Sequence, residues 1–140
     1  MRLSFLFFLS VITTTIQLNA EQPRDVELID FEKMPPEKLG NKITRRYVYG
    51  DKAMLARFDF KKGAIVPKHE HPNEQITYIL KGSVQVKTQG KEYIVKAGQI
   101  LIIPPNTPHE FEALEDTIDI DVFSPPRKDW IEGTDTYLKK

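Results

Sequence analysis

Cysteine is absent from this chain of 140 residues, which excludes disulfides and a lipid-modified cysteine anchor. An excess charge of one sign is also missing, because 20 basic residues balance 20 acidic ones. Nothing in that balance favours nucleic acid or an anionic membrane surface as a partner. Repeats and low-complexity tracts are not visible, and the length allows one domain.

Long apolar runs are lacking too, apart from a short one at the N-terminus. Arg2 precedes an apolar stretch that ends at Ile16, is interrupted by threonines and is too short to span a bilayer comfortably. A polar stretch ending in Ala20 follows. This order predicts a secretory signal peptide over residues 1–20, cleaved after Ala20, and a periplasmic or secreted protein with no membrane segment in its mature form. A retained membrane anchor is the alternative.

Histidine is scarce, and the three histidines stand in informative places. His69 and His71 are two residues apart, so in an extended strand both rings point to the same side. Gln75 follows after a bend at Pro72 and Asn73, which lets its amide oxygen return to that spot.

The third histidine, His109, lies in a second stretch that also contains proline and asparagine residues typical of a bend, IIPPNTPHEF. Three imidazoles and one oxygen suit a divalent transition metal such as Zn, Fe, Mn, Co or Ni and leave coordination positions open for water and substrate. We therefore predict a metal site at His69, His71, Gln75 and His109. Glu74 is the alternative fourth ligand, although strand alternation places it on the opposite face from Gln75.

Short strands separated by turn signals account for most of the remaining sequence. Residues 54–60 alternate between apolar and polar, and about nine or ten such segments predict a β-sandwich or barrel. VELIDF at 26–31 and ITRRYVYG at 43–50 read as further strands, the Arg45 and Arg46 pair as a solvated face. QILIIPPN at 99–106 reads as a strand buried on both sides.

The histidine spacing resembles the two conserved motifs of the cupin family. The first motif is matched by Gly63, His69, His71, Gln75 and Gly82. The second is matched by Gly98, Pro104 and His109, with Asn106 in place of a glycine and Ala113 in place of an asparagine. Gln75 stands where the family usually has a glutamate. This resemblance implies an all-β jelly-roll barrel, a bound metal and a homodimer.

The chain then divides into four parts. Residues 1–20 form the signal peptide, 21–50 a leader and a strand that packs on the barrel or on a partner, 51–126 the cupin barrel, and 127–140 a C-terminal tail that wraps the barrel. Trp130 and Tyr137 are the predicted packing anchors of that tail.

A second group of polar residues lies in the last strand, TIDIDVF. Asp119, Asp121 and Phe123 share one face and three aliphatic residues share the other. Either the aspartates are solvated, or Asp121 and Phe123 face the cavity while the aliphatic face is covered by the N-terminal strand or a second subunit.

Together with Arg127 and the neutral Gln75, these residues resemble the KdgF-type sugar cupins, which open an unsaturated uronate ring to its linear keto form. That resemblance implies that Asp121 carries a proton, that Phe123 is a cavity wall and that Arg127 binds the substrate carboxylate.

Three functions are compatible with these patterns. The first is an exported, metal-dependent, non-redox enzyme acting on a small anionic sugar or organic acid by isomerase or lyase chemistry. The second is a cupin dioxygenase using iron in the same pocket. The third is a non-catalytic periplasmic module that binds a metal or a sugar acid.

Overall fold

Ten antiparallel strands account for about half of residues 24–138, the part of the chain that the computed structural model describes. A single 3₁₀ turn at Phe31–Lys33 precedes them and one short helix follows them. In chain order the elements are β1 (Glu37–Lys38), β2 (Ile43–Tyr49), β3 (Met54–Phe60), β4 (Ile65–His69), β5 (Glu74–Lys81), β6 (Ser83–Thr88), β7 (Lys91–Lys96), β8 (Ile100–Ile103), β9 (His109–Ala113), β10 (Thr117–Ser124) and α1 (Lys128–Ile131).

The strands form two sheets. The larger has the order β1-β2-β3-β10-β5-β8 and the smaller the order β4-β9-β6-β7. Non-consecutive neighbours such as β3-β10-β5 show that the chain crosses repeatedly between the sheets, as a jelly roll does. The all-β jelly-roll barrel predicted from the sequence is confirmed.

The core is made by inward-facing residues that alternate along each strand. On β3 these are Met54, Ala56, Phe58 and Phe60, the predicted apolar face, and each is at most 5% exposed. The neighbouring strand β10 directs Thr117, Asp119, Asp121 and Phe123 inward instead. Polar groups therefore enter the barrel from β10, beside an aromatic wall.

The strand β8 differs from the prediction that it is buried on both sides. Ile100 and Ile102 are 59% and 60% exposed, whereas Ile103 is buried. The reason is topological, because β8 is the edge of the larger sheet and only its inner face meets the barrel interior. An apolar run alone does not reveal whether a second layer covers it.

The N-terminal part corrects two further expectations. Residues 24–30 have no regular structure and continue into the 3₁₀ turn, so the strand predicted at 26–31 is wrong. Arg45 is not solvated but 2% exposed. It forms ion pairs with Asp135 (2.8 Å) and Glu37 (2.6 Å), and its guanidinium lies 4.1 Å from the centre of the Trp130 ring. Strand pattern could not show this, since both partners lie outside β2.

The segment after β10 folds back onto the barrel. Helix α1 buries Trp130, which contacts the rings of Phe58 and Phe123, and the chain continues to Tyr137 and Leu138. The two predicted anchors therefore both pack against barrel residues.

The predicted signal peptide at 1–20 lies outside the described residues. Between residues 24 and 138, no helix has the length and apolar character needed to cross a bilayer.

Gly82, the last glycine of the first motif, provides a test of the packing between β5 and β10. Its φ is +81°, and a Cβ there would lie 2.6 Å from the Asp116 carbonyl oxygen and 2.9 Å from Thr117 Cα. Gly90 has a similar φ of +72° with nothing within 4 Å of an added Cβ. In both alanine variants the positive φ is unfavourable by about 1 kcal/mol. Only in Gly82→Ala must the backbone at Asp116 and Thr117 also shift.

We expect Gly82→Ala to lower the free energy of unfolding by roughly 2 kcal/mol more than Gly90→Ala, as judged by urea denaturation. Equal losses in the two variants would show that the close approach is unimportant.

Candidate metal centre

The position of the metal centre is set by the register in which two strands of the smaller sheet pair. Strands β4 and β9 pair antiparallel with His69 directly opposite His109. Directly opposed residues project from the same face, and their ring centroids are 4.3 Å apart. Two histidines separated by forty positions in the sequence thus become neighbours through strand pairing.

His71 joins them from the loop between β4 and β5. The strand ends at His69, yet the His71 ring still lies 5.7 Å from that of His69 and 5.2 Å from that of His109. The Asn106 amide donates to the His71 carbonyl oxygen, which ties this loop to the one before β9. One nitrogen from each of the three rings lies within 4.8 Å of the others.

Hydrogen bonds orient the rings. Pro67 and Thr107 carbonyl oxygens accept from Nδ1 of His69 (2.9 Å) and His109 (2.7 Å), which leaves both Nε2 atoms as lone-pair donors to a metal. Within the described part of the chain, His109 Nε2 and His71 Nδ1 are buried without a hydrogen-bond partner. Buried polar atoms normally have partners, so this donor set fits a divalent cation.

All three rings are held neutral, the form that binds metal. Burial lowers the pKa of His69 to about 3 and that of His71 to about 4, and it also lowers the pKa of His109. The neighbouring rings and the Arg127 charge add to the shifts of His69 and His71.

Gln75 lies beside the cluster with a defined orientation. On β5 it is buried, and its Nε2 donates to Asp121 Oδ1 (3.0 Å) and Thr77 Oγ1 (2.9 Å). Its Oε1 is thereby turned toward His71, whose Nε2–H donates to it at 3.1 Å. The alternative ligand Glu74 is exposed on the other face of β5 and lies outside the cluster.

Asp121 faces the cavity rather than solvent. It is 4% exposed, and its Oδ1 accepts from Thr77 Oγ1 (2.6 Å) as well as from Gln75. Burial raises the pKa of Asp121 to about 6, and the two hydrogen bonds and the Arg127 charge oppose that rise. Its neighbour Asp119 is 1% exposed, and burial, with a smaller contribution from repulsion by Asp121, raises its pKa well above the usual value for an aspartate.

Arg127 and Phe123 border the same cavity as Asp121 and Gln75. Arg127 is 1% exposed and lies over the rings of Phe123 (5.3 Å) and Trp130 (4.7 Å). Its Nε and Nη2 form a fork with the Asp129 carboxylate at 2.9 and 2.7 Å. The structure therefore brings every sequence-predicted site residue to one end of the barrel.

Comparison with known proteins is consistent with this geometry. The Cupin domain family matches residues 56–124. The pectin degradation protein KdgF of Dickeya dadantii is 35% identical over 103 residues, which cover 71% of this chain and 94% of that protein.

The chain belongs to the cupin family.

Solved structures agree with that assignment. KdgF from Halomonas sp. superposes with a TM-score of 0.69 at 27% identity, covering 76% of this cupin and 99% of that chain. An RmlC-like cupin from Shewanella frigidimarina superposes with a TM-score of 0.70 at 27% identity, covering 76% of this chain and 96% of that chain. The resemblance to KdgF-type cupins noted in the sequence is thus confirmed.

Sequence reasoning missed three residues of the cupin's site. Thr77 holds the Asp121 carboxylate, and Tyr137 stacks on His69 with centroids 4.2 Å apart. Asn73 is buried and donates to the carbonyl oxygens of Pro125 (2.6 Å) and Pro126 (3.2 Å), which directs the chain back over the barrel. Thr77 shares the face of Gln75, but only the pairing of β5 with β10 shows what it meets.

The lowered histidine pKa values predict acid sensitivity of the metal-free cupin. The unfolded-state pKa of His69 is about 6.5, well above the folded value of about 3, so below about pH 6.5 the unfolded chain binds more protons. The histidine contribution to stability is therefore present above that pH and is lost as pH falls. Asp121 acts in the opposite direction, because its folded pKa is raised.

Comparing the wild type with the His69→Gln variant separates the pH dependence of stability that His69 contributes from that of Asp121. Between about pH 7 and about pH 5, wild type should lose about 1 kcal/mol more unfolding free energy than the variant, allowing for the partial exposure of the ring. Urea denaturation without metal at both pH values measures this. A larger loss in the variant would contradict the assignment.

Proposed function

We propose that this cupin is a metal-dependent, non-redox enzyme that opens the ring of a small unsaturated sugar acid. The observation that carries the proposal is the Gln75 amide, which connects the histidine cluster to a buried carboxylate. Its oxygen faces His71 while its nitrogen donates to Asp121. A metal centre and a group able to move protons are thereby held on two sides of one amide.

Similarity to known proteins supports the same reaction class. The relative from Dickeya dadantii is named a pectin degradation protein. KdgF-type cupins, which the sequence resembles in Gln75, Asp121 and Arg127, convert unsaturated uronates to linear keto forms.

The reaction is an isomerisation and needs no oxidant. The bond between the ring oxygen and the anomeric carbon breaks, the anomeric hydroxyl loses a proton, and an alkene carbon gains one. A divalent metal at the histidines supplies Lewis-acid stabilisation of a substrate oxygen. Both hydrogen bonds to Asp121 fall on Oδ1, so Oδ2 is the oxygen suited to exchange the proton.

Charge around the site favours an anionic substrate. Three neutral imidazoles and a neutral amide leave both positive charges of a divalent metal uncompensated by protein ligands. Arg127 provides a second, buried cation beside Phe123, which is an apolar wall. A carboxylate near Arg127 gains charge-assisted hydrogen bonds from the guanidinium.

The direct test is turnover of unsaturated galacturonate, followed by the ultraviolet band of its conjugated alkene. Zinc-loaded protein should remove the band, and chelated protein should not. Asp121→Asn should lower kcat by about 10² or more, the usual range for a positioned acid or base. Asp116→Asn is the matched control, because that carboxylate is exposed and paired with Lys61.

Loss of the band no faster than in the chelated protein would reject the proposal. Equal kcat values for the Asp121 and Asp116 variants would remove Asp121 from the mechanism. Oxygen consumption during turnover, measured with an oxygen electrode, would favour a cupin dioxygenase instead. Tight binding of the unsaturated galacturonate without turnover would favour a binding module.

Gln75→Glu tests the charge argument. The new carboxylate meets Asp121 where the amide donated at 3.0 Å, and it adds a negative charge beside the cluster. We expect zinc binding to be kept or tightened and the affinity for galacturonate to fall roughly tenfold, which is about 1.4 kcal/mol.

Isothermal titration with zinc and then with galacturonate measures both effects. Gln99→Glu, an exposed change of the same type, is the control. Unchanged or stronger galacturonate binding by Gln75→Glu alone would contradict the charge argument. The homodimer and the export expected from the sequence stay predictions.

A further inference from the structure

The C-terminal residues 133–138, here called the strap, reach the metal centre through Tyr137. The Tyr137 ring stacks on His69 with centroids 4.2 Å apart and planes 15° from parallel. Tyr137 and Leu138 border the same cavity as Gln75, Asp121 and Arg127. The strap therefore forms part of the wall of the site.

The cavity that remains is too small for a sugar acid. Its volume is about 20 Å³, close to the 10–15 Å³ or so that a single water requires. Pockets that bind small molecules typically measure about 300–1,000 Å³. Some part of the wall must move before a ligand larger than water can lie in this cavity between His69, Asp121 and Arg127.

The strap has a pivot and a fixed point beside it. Helix α1 is anchored by Trp130, which is 3% exposed and packs against Phe58 and Phe123. Gly133 follows this helix with a φ of +69°, and an added Cβ there would meet nothing within 4 Å. Gly133 can take up a change of backbone direction while the anchor stays in the core, once Thr134 releases the Asp129 carbonyl oxygen to which it donates.

Asp135 and Tyr137 make the polar contacts that tie the strap to the two buried arginines. Asp135 forms an ion pair with Arg45 at 2.8 Å, and both side chains are buried. The Tyr137 hydroxyl accepts hydrogen bonds from Arg127 Nη2 (3.1 Å) and Trp130 Nε1 (3.3 Å). It thereby occupies a donor of the guanidinium that the proposed function assigns to the substrate carboxylate.

We propose that the strap is a gate over the metal centre, latched by Asp135 and Tyr137, that must swing away from His69 to admit a ligand. A carboxylate releases it by replacing the Tyr137 hydroxyl at Arg127; this trigger rests on the proposed function. Tyr137 is then a specificity-determining residue, because a neutral sugar lacks the group that competes with it.

Zinc extraction tests the gate without any substrate. The zinc-loaded full chain is mixed with the indicator pyridylazoresorcinol in a stopped-flow instrument. Tyr137→Phe keeps the ring on His69 but removes the hydroxyl from Arg127. Asp135→Asn weakens the second latch while Arg45 keeps its ion pair with Glu37. Glu132→Gln is the matched control, since that exposed carboxylate pairs only loosely with Lys128 at 3.5 Å.

Both latch variants should release zinc roughly tenfold faster than wild type, the ratio that a weakening of about 1.4 kcal/mol produces, and the control should not. Deuterium exchange should increase in residues 133–138 and remain unchanged in β3 and β10, which separates opening from general destabilisation. Fluorescence of Trp130, the chain's single tryptophan, reports loss of its bond to Tyr137 independently.

The trigger is tested with galacturonate against neutral galactose. Galacturonate should raise exchange in the strap and change Trp130 fluorescence, and galactose should do neither. Zinc release and strap exchange no faster in both latch variants than in Glu132→Gln would overturn the gate, whatever the uronate assay shows. Faster release in the variants with no response to galacturonate would support the gate and reject carboxylate recognition at Arg127, on which the proposed function depends.

Discussion

The site depends on strand register in two sheets at once. In the smaller sheet, pairing of β4 with β9 places His69 opposite His109; in the larger, pairing of β5 with β10 places Gln75 opposite Phe123 and Thr77 opposite Asp121. A slip of one residue in either pairing would turn these side chains to the outer face. Register is therefore the constraint from which both the metal cluster and the carboxylate network follow.

The Gln75 amide joins the carboxylate network to the histidine cluster. An amide has an oxygen that accepts hydrogen bonds and a nitrogen that donates them. An ionised carboxylate can only accept, so Asp121 bonds to the amide nitrogen of Gln75. The oxygen is consequently directed to the histidines. A glutamate would place like charges against each other at this point, so the neutral residue and the buried carboxylate belong together.

Arg45 performs a comparable role away from the site. Its guanidinium joins Glu37 near the N-terminal segment to Asp135 in the strap and lies over Trp130. The segments before and after the barrel thus meet on one buried cation. A buried ion pair contributes little net stability but makes loss of one partner costly, which suits a contact that selects one position of the strap.

Several features were predictable from local pattern. The alternation of residues 54–60, the strand starting at His109 and the spacing of the histidines all depend on which residues neighbour each other in sequence, and the structure agrees with them. The exposed isoleucines of β8 and the buried Arg45 were not predictable. Hydrophobicity does not show whether a second layer covers a sheet face. The position of an arginine in a strand does not indicate that it pairs with a carboxylate ninety residues away.

By itself, then, the sequence determined a β-barrel of cupin type with a cluster of three histidines and a neutral amide, because period-two alternation and motif spacing are local properties. Only the tertiary structure decided that Asp121 faces the cavity, that Thr77 and Gln75 hold it, and that Tyr137 covers His69. Those relations join residues far apart in the chain, and they exist only once strand pairing and the returning C-terminal segment bring them into contact.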